Sequence, residues 1–500
     1  MSKTSINPLN GNEYLLPTNN NDKKKIDLFL KSNIGKKVIV VQGLGFVGAV
    51  MSLVCANAHS EEYAVIGLDI ANKNNYWKIK SINDGVFPVI ASDPKIEEFY
   101  NISKKKNNFF ATFDTYAFSK AHYVIVDINL DVKKETKFDG DLINYDVDLN
   151  NFKKAIKAIG DNCREDVLVL VETTVPPGTC KKVVKPIIEK CLSERNLSFK
   201  NYKLGHSYER VMPGPDYIDS IQNFYRVYSG IDNKSANATE FFLKTIISTS
   251  NYPLTRLGNT NATELSKVLE NSYRAMNIAF VTEWSRFAEE SEVNLYEVVD
   301  AIRMRPTHSN LMYPGIGVGG YCLTKDPLLA SWAKQNHFNS NDRLEQSEKG
   351  VKINDKMPLF AFEFMKRAFN LVDLKKIKVA FLGVSYRSNV ADTRYSPVER
   401  LYNFCLKDGA EINLHDPYVS FWEELNLNVS QDLFSVISKK IDILIISTSH
   451  DEYKDSNIFI EKLINKNKMM IFDTVGMFSK NEINKLSSKH NLKVLGRGDL

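Results

Sequence analysis

The stretch Lys37-Val38-Ile39-Val40-Val41-Gln42-Gly43-Leu44-Gly45-Phe46-Val47-Gly48 opens as an apolar, β-rich run, breaks at three glycines and continues through Ala49, Val50 and Met51 as a helix. A strand, a tight turn and a helix in that order begin a βαβ unit. Gly43 permits the turn, Gly45 lets backbone approach a pyrophosphate, and Gly48 lets the helix pack on the strand. The helix N-terminus at Phe46 and Val47 points N–H groups toward phosphates. Asp69 closes the next strand, YAVIGLD, about 20 residues beyond the third glycine, where a carboxylate accepts hydrogen bonds from a ribose 2′-hydroxyl. An acid there repels a 2′-phosphate, so the expected cofactor is NAD rather than NADP, with Lys73 close by in sequence. A glycine turn that serves packing alone is the alternative.

Working outward, strand-like YVIVDIN and DVLVLVE follow, with helix-compatible segments between them, so this part reads as a doubly wound parallel sheet. No Gly or Pro occurs from Asn259 through Arg305, a span for two or more helices. Within it Leu265, Val268, Leu269, Tyr273, Met276, Phe280, Trp284 and Phe287 recur at three and four, one apolar stripe for a core or a dimer face. Asn261 and Glu264 form a variant capping box. A polar segment, Asn339 to Lys356, reads as a linker to a second alternating block: KVAFLGV, INLHD, IDILIIST, KMMIFD and LKVLG. The expected fold is α/β, two Rossmann-like doubly wound domains joined by a central helical domain. Its parts are a partly disordered extension (1–35), a cofactor domain (36–255), a helical dimerisation domain (256–350) and a second Rossmann-like domain (351–500).

At 500 residues, 43% hydrophobic and 25% charged, the chain has the composition of a globular protein of roughly three domains. A formal charge of +5 over that length gives no case for a nucleic-acid partner. Without a long apolar run or signal-like N-terminus, neither a membrane span nor export is expected, and the default location is the cytoplasm. Six scattered cysteines with no CxxC pair suggest reduced thiols and no metal.

Pro314-Gly315-Ile316-Gly317-Val318-Gly319-Gly320-Tyr321-Cys322 places a cysteine at the end of a glycine-rich loop, with Lys325 and Asp326 just beyond. Such a thiol is either an inert packing residue or a nucleophile made more acidic by the neighbouring ammonium.

This loop resembles the GGxC signature of the UDP-glucose/GDP-mannose dehydrogenase family of NAD-dependent nucleotide-sugar 6-dehydrogenases. ETTVPPGT (Glu172 to Thr179), YERVMPG (Tyr208 to Gly214), TELSKVLENSYRAMNIAF (Thr263 to Phe280), LGVSYRSNVADTRYSP (Leu382 to Pro397) and Asp416-Pro417 are similar to further family motifs in the same order. The resemblance implies a four-electron oxidation at carbon six of a nucleotide sugar, using two NAD. Cys322 would form a thiohemiacetal and then a thioester, Lys267 and Asn271 would steady an oxyanion or water, and Glu209, Asp326 and Thr174 would handle protons or water. Each of those polar residues has a structural alternative, a solvated helix face for Lys267 and Asn271 and an ion pair for the carboxylates. Lys325 joins the cofactor residues. Gly320, Tyr321, Tyr386, Arg387, Asn389, Arg394 and His308 would meet the UDP-sugar. YERVMPG sides with the UDP-N-acetylhexosamine branch; Tyr208, Tyr321 and the segment RPTHSNL depart from it, and VDIN (Val126 to Asn129) lacks the usual proline-threonine turn. A UDP-glucose enzyme and a non-catalytic NAD and nucleotide-sugar binding protein are the alternatives. A homodimer or larger homo-oligomer, and a role in surface polysaccharide or glycan synthesis, complete what the resemblance implies.

Overall fold

Five of the six residues of Lys37–Gln42 are buried, as in a strand covered on both faces of a parallel sheet. The computed structural model that places it describes residues 4–19, 21–89, 91–211, 214–454 and 456–500. These divide by contacts into two units: the first runs to Asp131 and adds Val147–Val268 and Trp332–Asn341, and the second takes Val132–Asp146, Leu269–Ser331 and Asp342–Leu500.

The first unit begins with a hairpin, β1 (Thr4–Ile6) and β2 (Glu13–Leu15), and a helix, α1 (Lys23–Lys31). Next come β3 (Lys37–Gln42), α2 (Phe46–Ala56), β4 (Tyr63–Leu68), α3 (Tyr76–Asn83), β5 (Phe109–Thr112) and β6 (Tyr123–Val126). The chain then makes a hairpin, β7 (Val132–Thr136) and β8 (Leu142–Val147), and returns for β9 (Leu168–Val171), β10 (Lys203–His206), β11 (Val227–Gly230) and β12 (Thr255–Arg256). The sheet order is β12-β11-β10-β9-β6-β3-β4-β5, parallel except where β10 meets β11. Strand order reverses between β3 and β6, and a crevice outside the carboxyl ends of the strands at such a point is where ligands bind.

The N-terminal segment is expected to be partly ordered at best; its described residues form the β1–β2 hairpin and α1. Ile26 and Phe29, three apart on α1, are buried, and Phe29 stacks on Phe110 of β5 with centroids 5.5 Å apart. That contact ties α1 to the edge strand β5.

The second unit holds a five-stranded parallel sheet ordered β14-β13-β17-β18-β19. These are β13 (Lys378–Leu382), β14 (Glu411–His415), β17 (Ile443–Ile446), β18 (Met470–Asp473) and β19 (Asn491–Val494), with β15 (Phe421–Trp422) and β16 (Leu427–Asn428) as a small hairpin. Apolar clusters cover both faces of this sheet. The β7–β8 hairpin docks here through Lys134 Nζ to Asp355 Oδ2 (2.8 Å), Tyr145 Oη donating to Glu348 Oε1 (2.6 Å), and Phe138 edge-on to Phe404.

Thr260–Glu290 is one unbroken 31-residue helix. Its stripe is not core: Leu265, Leu269, Tyr273, Phe280, Trp284 and Phe287 are between 48% and 60% exposed, and Val268 alone of the eight is fully buried. The capping box does not form, because Asn259 Oδ1 accepts the Ala262 N–H (3.0 Å) and Glu264 turns to the Gly178 and Cys180 N–H groups instead. The expected linker before Lys356 lies largely within the helix Glu345–Ala368, because Glu348, Gly350, Val351, Asn354 and Asp355 bury one face. Among the described residues no helix is long and apolar enough to cross a membrane.

A methyl on Gly48 would run into the Gly43 carbonyl oxygen, whereas one on Gly45 would meet nothing within 4 Å. Gly48→Ala should therefore cost on the order of 2–3 kcal/mol of stability, and Gly45→Ala should leave the thermal unfolding midpoint in place; calorimetry on both variants checks this.

Candidate active site

In the first unit the glycine turn fits a dinucleotide. Gly43 has φ +102° and sits against the Asp127 carbonyl, so no side chain fits there. Gly45 is the N-cap of α2, no side chain caps it, and the space where its Cβ would be is open. Asp69, nearly buried, accepts the Leu44 N–H at 2.9 Å and its neighbour Ile70 N–H at 2.7 Å. Those bonds leave further carboxylate lone pairs for hydroxyl donors. Ile70 is exposed beside it, an apolar surface suited to a base. Tyr217 Oη braces the first turn of α2 by donating to the Phe46 carbonyl (2.7 Å). Val47 lies in that turn, and Lys73 is exposed on the turn before α3.

Two strand ends beside this turn carry acids that sequence reasoning did not assign. Glu172, after β9, is buried and pairs with the buried Arg226 at 2.6 Å, while Asp127 follows β6. Asp127 Oδ2 and Glu172 Oε2 are buried and receive no donor from the described residues. Burial, opposed by Arg226, pushes Glu172 up to about 7. Burial and then the Glu172 charge hold Asp127 well above the carboxylate range, so the pair retains a proton near neutrality. Burial also depresses His206, at the end of β10, to about 3, keeping it neutral.

The long helix carries the next group. Glu264 is buried and accepts the N–H groups of Gly178 (2.6 Å) and Cys180 (2.7 Å), fixing the PPGT turn beyond Thr174. Lys267, also buried, donates to the Glu209 carbonyl at 2.8 Å and lies 5.4 Å from the Tyr208 ring centre. The Glu209 carboxylate accepts the Val211 N–H. Of the YERVMPG motif, Met212 and Pro213 lie outside the described residues.

In the second unit Cys322 is the one exposed cysteine of the six. Its carbonyl accepts the Lys325 and Asp326 N–H groups, starting the helix Asp326–Asn336. Asp326 is fully buried: Oδ1 takes Lys325 Nζ at 2.6 Å and Oδ2 takes Asn271 Nδ2 at 2.6 Å. Lys325, expected among the cofactor residues, has its ammonium in this buried pair and over the Tyr321 ring at 4.5 Å. Gly319 and Gly320 lie against Tyr386, so close that a methyl on either would strike its side chain, and the Gly320 N–H donates to the Arg394 carbonyl (3.0 Å). Arg394 binds Asp392 through Nε (2.9 Å) and Nη2 (2.6 Å). Asn389 lies at φ +61°, bonded to Asp451 and to His450 Nδ1; Arg387 and His308 are exposed. Asp416 fixes the start of this loop by accepting the Val384 and Ser385 N–H groups.

Residues 37–246, 261–356 and 380–480 match, in order, the NAD binding, central and UDP binding domains of the UDP-glucose/GDP-mannose dehydrogenase family. The chain belongs to that family. It is an NAD-dependent nucleotide-sugar dehydrogenase. The UDP-N-acetyl-D-mannosamine dehydrogenase of Pyrococcus horikoshii is 30% identical over 84% of this chain and 91% of its own length. That of Methanocaldococcus jannaschii is 30% identical over 94% and 98%. Among solved structures, UDP-D-ManNAc dehydrogenase from P. horikoshii aligns with TM-score 0.76 at 26% identity over 93% of this chain and all of that one. NDP-N-acetyl-D-galactosaminuronic acid dehydrogenase from Methanosarcina mazei aligns with 0.75 at 25% identity over 95% and 98%.

In this dehydrogenase the raised pKa of Glu172 has a defined sign. Stability that it contributes is full below its ordinary value of 4.5 and is lost as pH rises through about 7. Asp127→Asn replaces the retained proton with a permanent N–H donor while keeping the Arg226 pair. The fall in unfolding midpoint between about pH 5 and pH 7 should become shallower in that variant, and the acid-side loss from His206 should not change; pH-dependent calorimetry reads both.

Proposed function

We propose that the enzyme oxidises carbon six of a UDP-N-acetylhexosamine from alcohol to carboxylate, with Cys322 as the covalent nucleophile. The observation that carries this is the exposed Cys322 at the end of a glycine loop, beside the buried Lys325 and Asp326 and the partly buried Asn271 that Asp326 holds. The names of the two 30% identical relatives and the YERVMPG motif support the N-acetylhexosamine.

Gly45, Phe46, Val47, Gly48 and Asp69 would hold NAD, with Gly43 shaping the turn. NAD, when bound, supplies the hydride acceptor, once for alcohol to aldehyde and once for thiohemiacetal to thioester. Between those oxidations the Cys322 thiolate adds to the aldehyde carbon, and water afterwards cleaves the thioester to the acid and free thiol. Lys267 and Asn271, one turn apart on an unbroken helix, donate N–H to the oxygen that gains charge. Asp326 holds Asn271 and Lys325 in position, and Glu209 and Thr174 serve proton and water handling. Tyr321 and Tyr386 border the sugar; Arg387, Asn389 and Arg394 serve the diphosphate, with His308 at the substrate side. The uronic acid unit suits assembly into a surface polysaccharide or glycan.

The purified enzyme should yield two NADH per sugar with UDP-N-acetylmannosamine or another UDP-N-acetylhexosamine, and Cys322→Ser should lose the acid product by roughly a thousandfold or more. Turnover of UDP-glucose alone would reassign the sugar. Tight NAD and nucleotide-sugar binding with no turnover on any sugar would favour a binding protein.

The exposed stripe from Leu265 to Phe287 is the face we assign to a homodimer, because a run of six half-exposed large apolar side chains on one helix is costly to leave in water. Phe280→Glu with Trp284→Glu should shift the molar mass by light scattering from dimer to monomer.

A further inference from the structure

The match to the NAD binding domain begins at Lys37, so the hairpin β1–β2 lies outside it. Yet this hairpin grips the turn that follows Asp69. Ser5, fully buried, donates its hydroxyl to the Lys73 carbonyl at 2.7 Å and accepts the Trp77 N–H at 3.0 Å. Trp77 is the second residue of α3, whose own N-cap, Asn75, makes no side-chain cap bond. Ser5 supplies that cap from 72 positions away in sequence. Two residues on, Asn7 is also fully buried, and its amide donates to Ser81 Oγ on α3 at 2.9 Å. Inside the turn Asn72 Oδ1 accepts the Asn74 and Asn75 N–H groups, and Trp77 Nε1 donates to the Asn74 carbonyl.

We propose that the N-terminal hairpin is a clamp for the adenosine end of NAD, with Ser5 as a positioning residue. By tying the Lys73 carbonyl to the first turn of α3, Ser5 holds residues 70–75 in the conformation that presents Ile70 and the Asp69 carboxylate to the adenine ribose and base. A serine hydroxyl does both jobs because it donates and accepts at once. Alanine leaves a buried N–H and a carbonyl without their partner, and the turn is then free to relax. This inference rests on the assignment of Asp69 as the ribose ligand.

The test is binding of ADP-ribose, which carries the adenosine end and no nicotinamide, measured by calorimetry on the full-length protein. Ser5→Ala should weaken ADP-ribose by about five- to tenfold, the loss of one or two hydrogen bonds' worth of ordering. The KM for NAD should rise with it, the KM for the nucleotide sugar should stay, and amide exchange should quicken at residues 70–77 ahead of the rest of the chain. A deletion of residues 1–17 should reproduce the effect. Unchanged ADP-ribose affinity in both variants overturns the clamp, as does a loss shared equally by NAD and nucleotide sugar. Asp69→Ala separates the two readings: if it leaves ADP-ribose binding intact, the cofactor assignment fails; if it weakens binding while Ser5→Ala does not, the clamp alone fails.

Discussion

Between Gly43 and Gly48 the backbone passes so close to itself that no methyl group fits, and the same turn lies against the Asp127 carbonyl. This steric limit fixes where α2 starts relative to the end of β3. With the start of α2 fixed, the first helical N–H groups face outward at the strand-order reversal rather than into the core. Asp69 then has one geometry available, accepting the Leu44 N–H from inside the same turn. The Tyr217 hydroxyl locks the other side of it. The cofactor crevice is thus the outcome of a packing constraint between backbone segments, and the polar contacts decorate a shape already set.

The chemistry is organised by buried acids, each with its lone pairs accounted for differently. Glu264 spends both oxygens on backbone N–H groups of one turn. Asp326 divides its pair between an ammonium and an amide. Asp473, pushed up to about 6 by burial, is held by successive backbone N–H groups after β18. Asp127 and Glu172 differ because one oxygen of each has no donor. Burial raises Glu264 and Glu172 alike, each to about 7, so the donors decide where each carboxyl group points, and burial decides how tightly it keeps its proton.

Strand after strand of this chain is legible because apolar β-formers end abruptly, and the helix–strand alternation follows from that. Asp69 was readable for the same reason: it closes an apolar run, VIGLD. Asp127 in VIVD and Glu172 in VLVE carry the same mark, and that signal is available to find them. Spacing makes Glu264 a local cap because sequence favours near partners, whereas its partners lie over 80 positions away. Charge hides the helix Glu345–Ala368, since its buried face is made partly of Glu348, Asn354 and Asp355, which are satisfied by Tyr145, the Ala275 carbonyl and Lys134 respectively. The exposed side of the central stripe was undecidable from periodicity, which marks a face without saying what covers it. The folding of residues 4–19 and 21–31 is hard to read because two buried side chains on α1 and two on β1 and its turn do the holding amid many polar neighbours.

The β7–β8 hairpin belongs with the second unit although it is encoded inside the first. A ribosome delivers it some 200 residues before the helix that carries Asp355 and Glu348, its main partners. Until then Lys134 and Tyr145 lack these two carboxylate partners. Neither unit is therefore a self-contained cassette: cutting the gene after the hairpin would separate it from the helix that holds it, and the order of synthesis makes the last third of the chain responsible for finishing what the first third began.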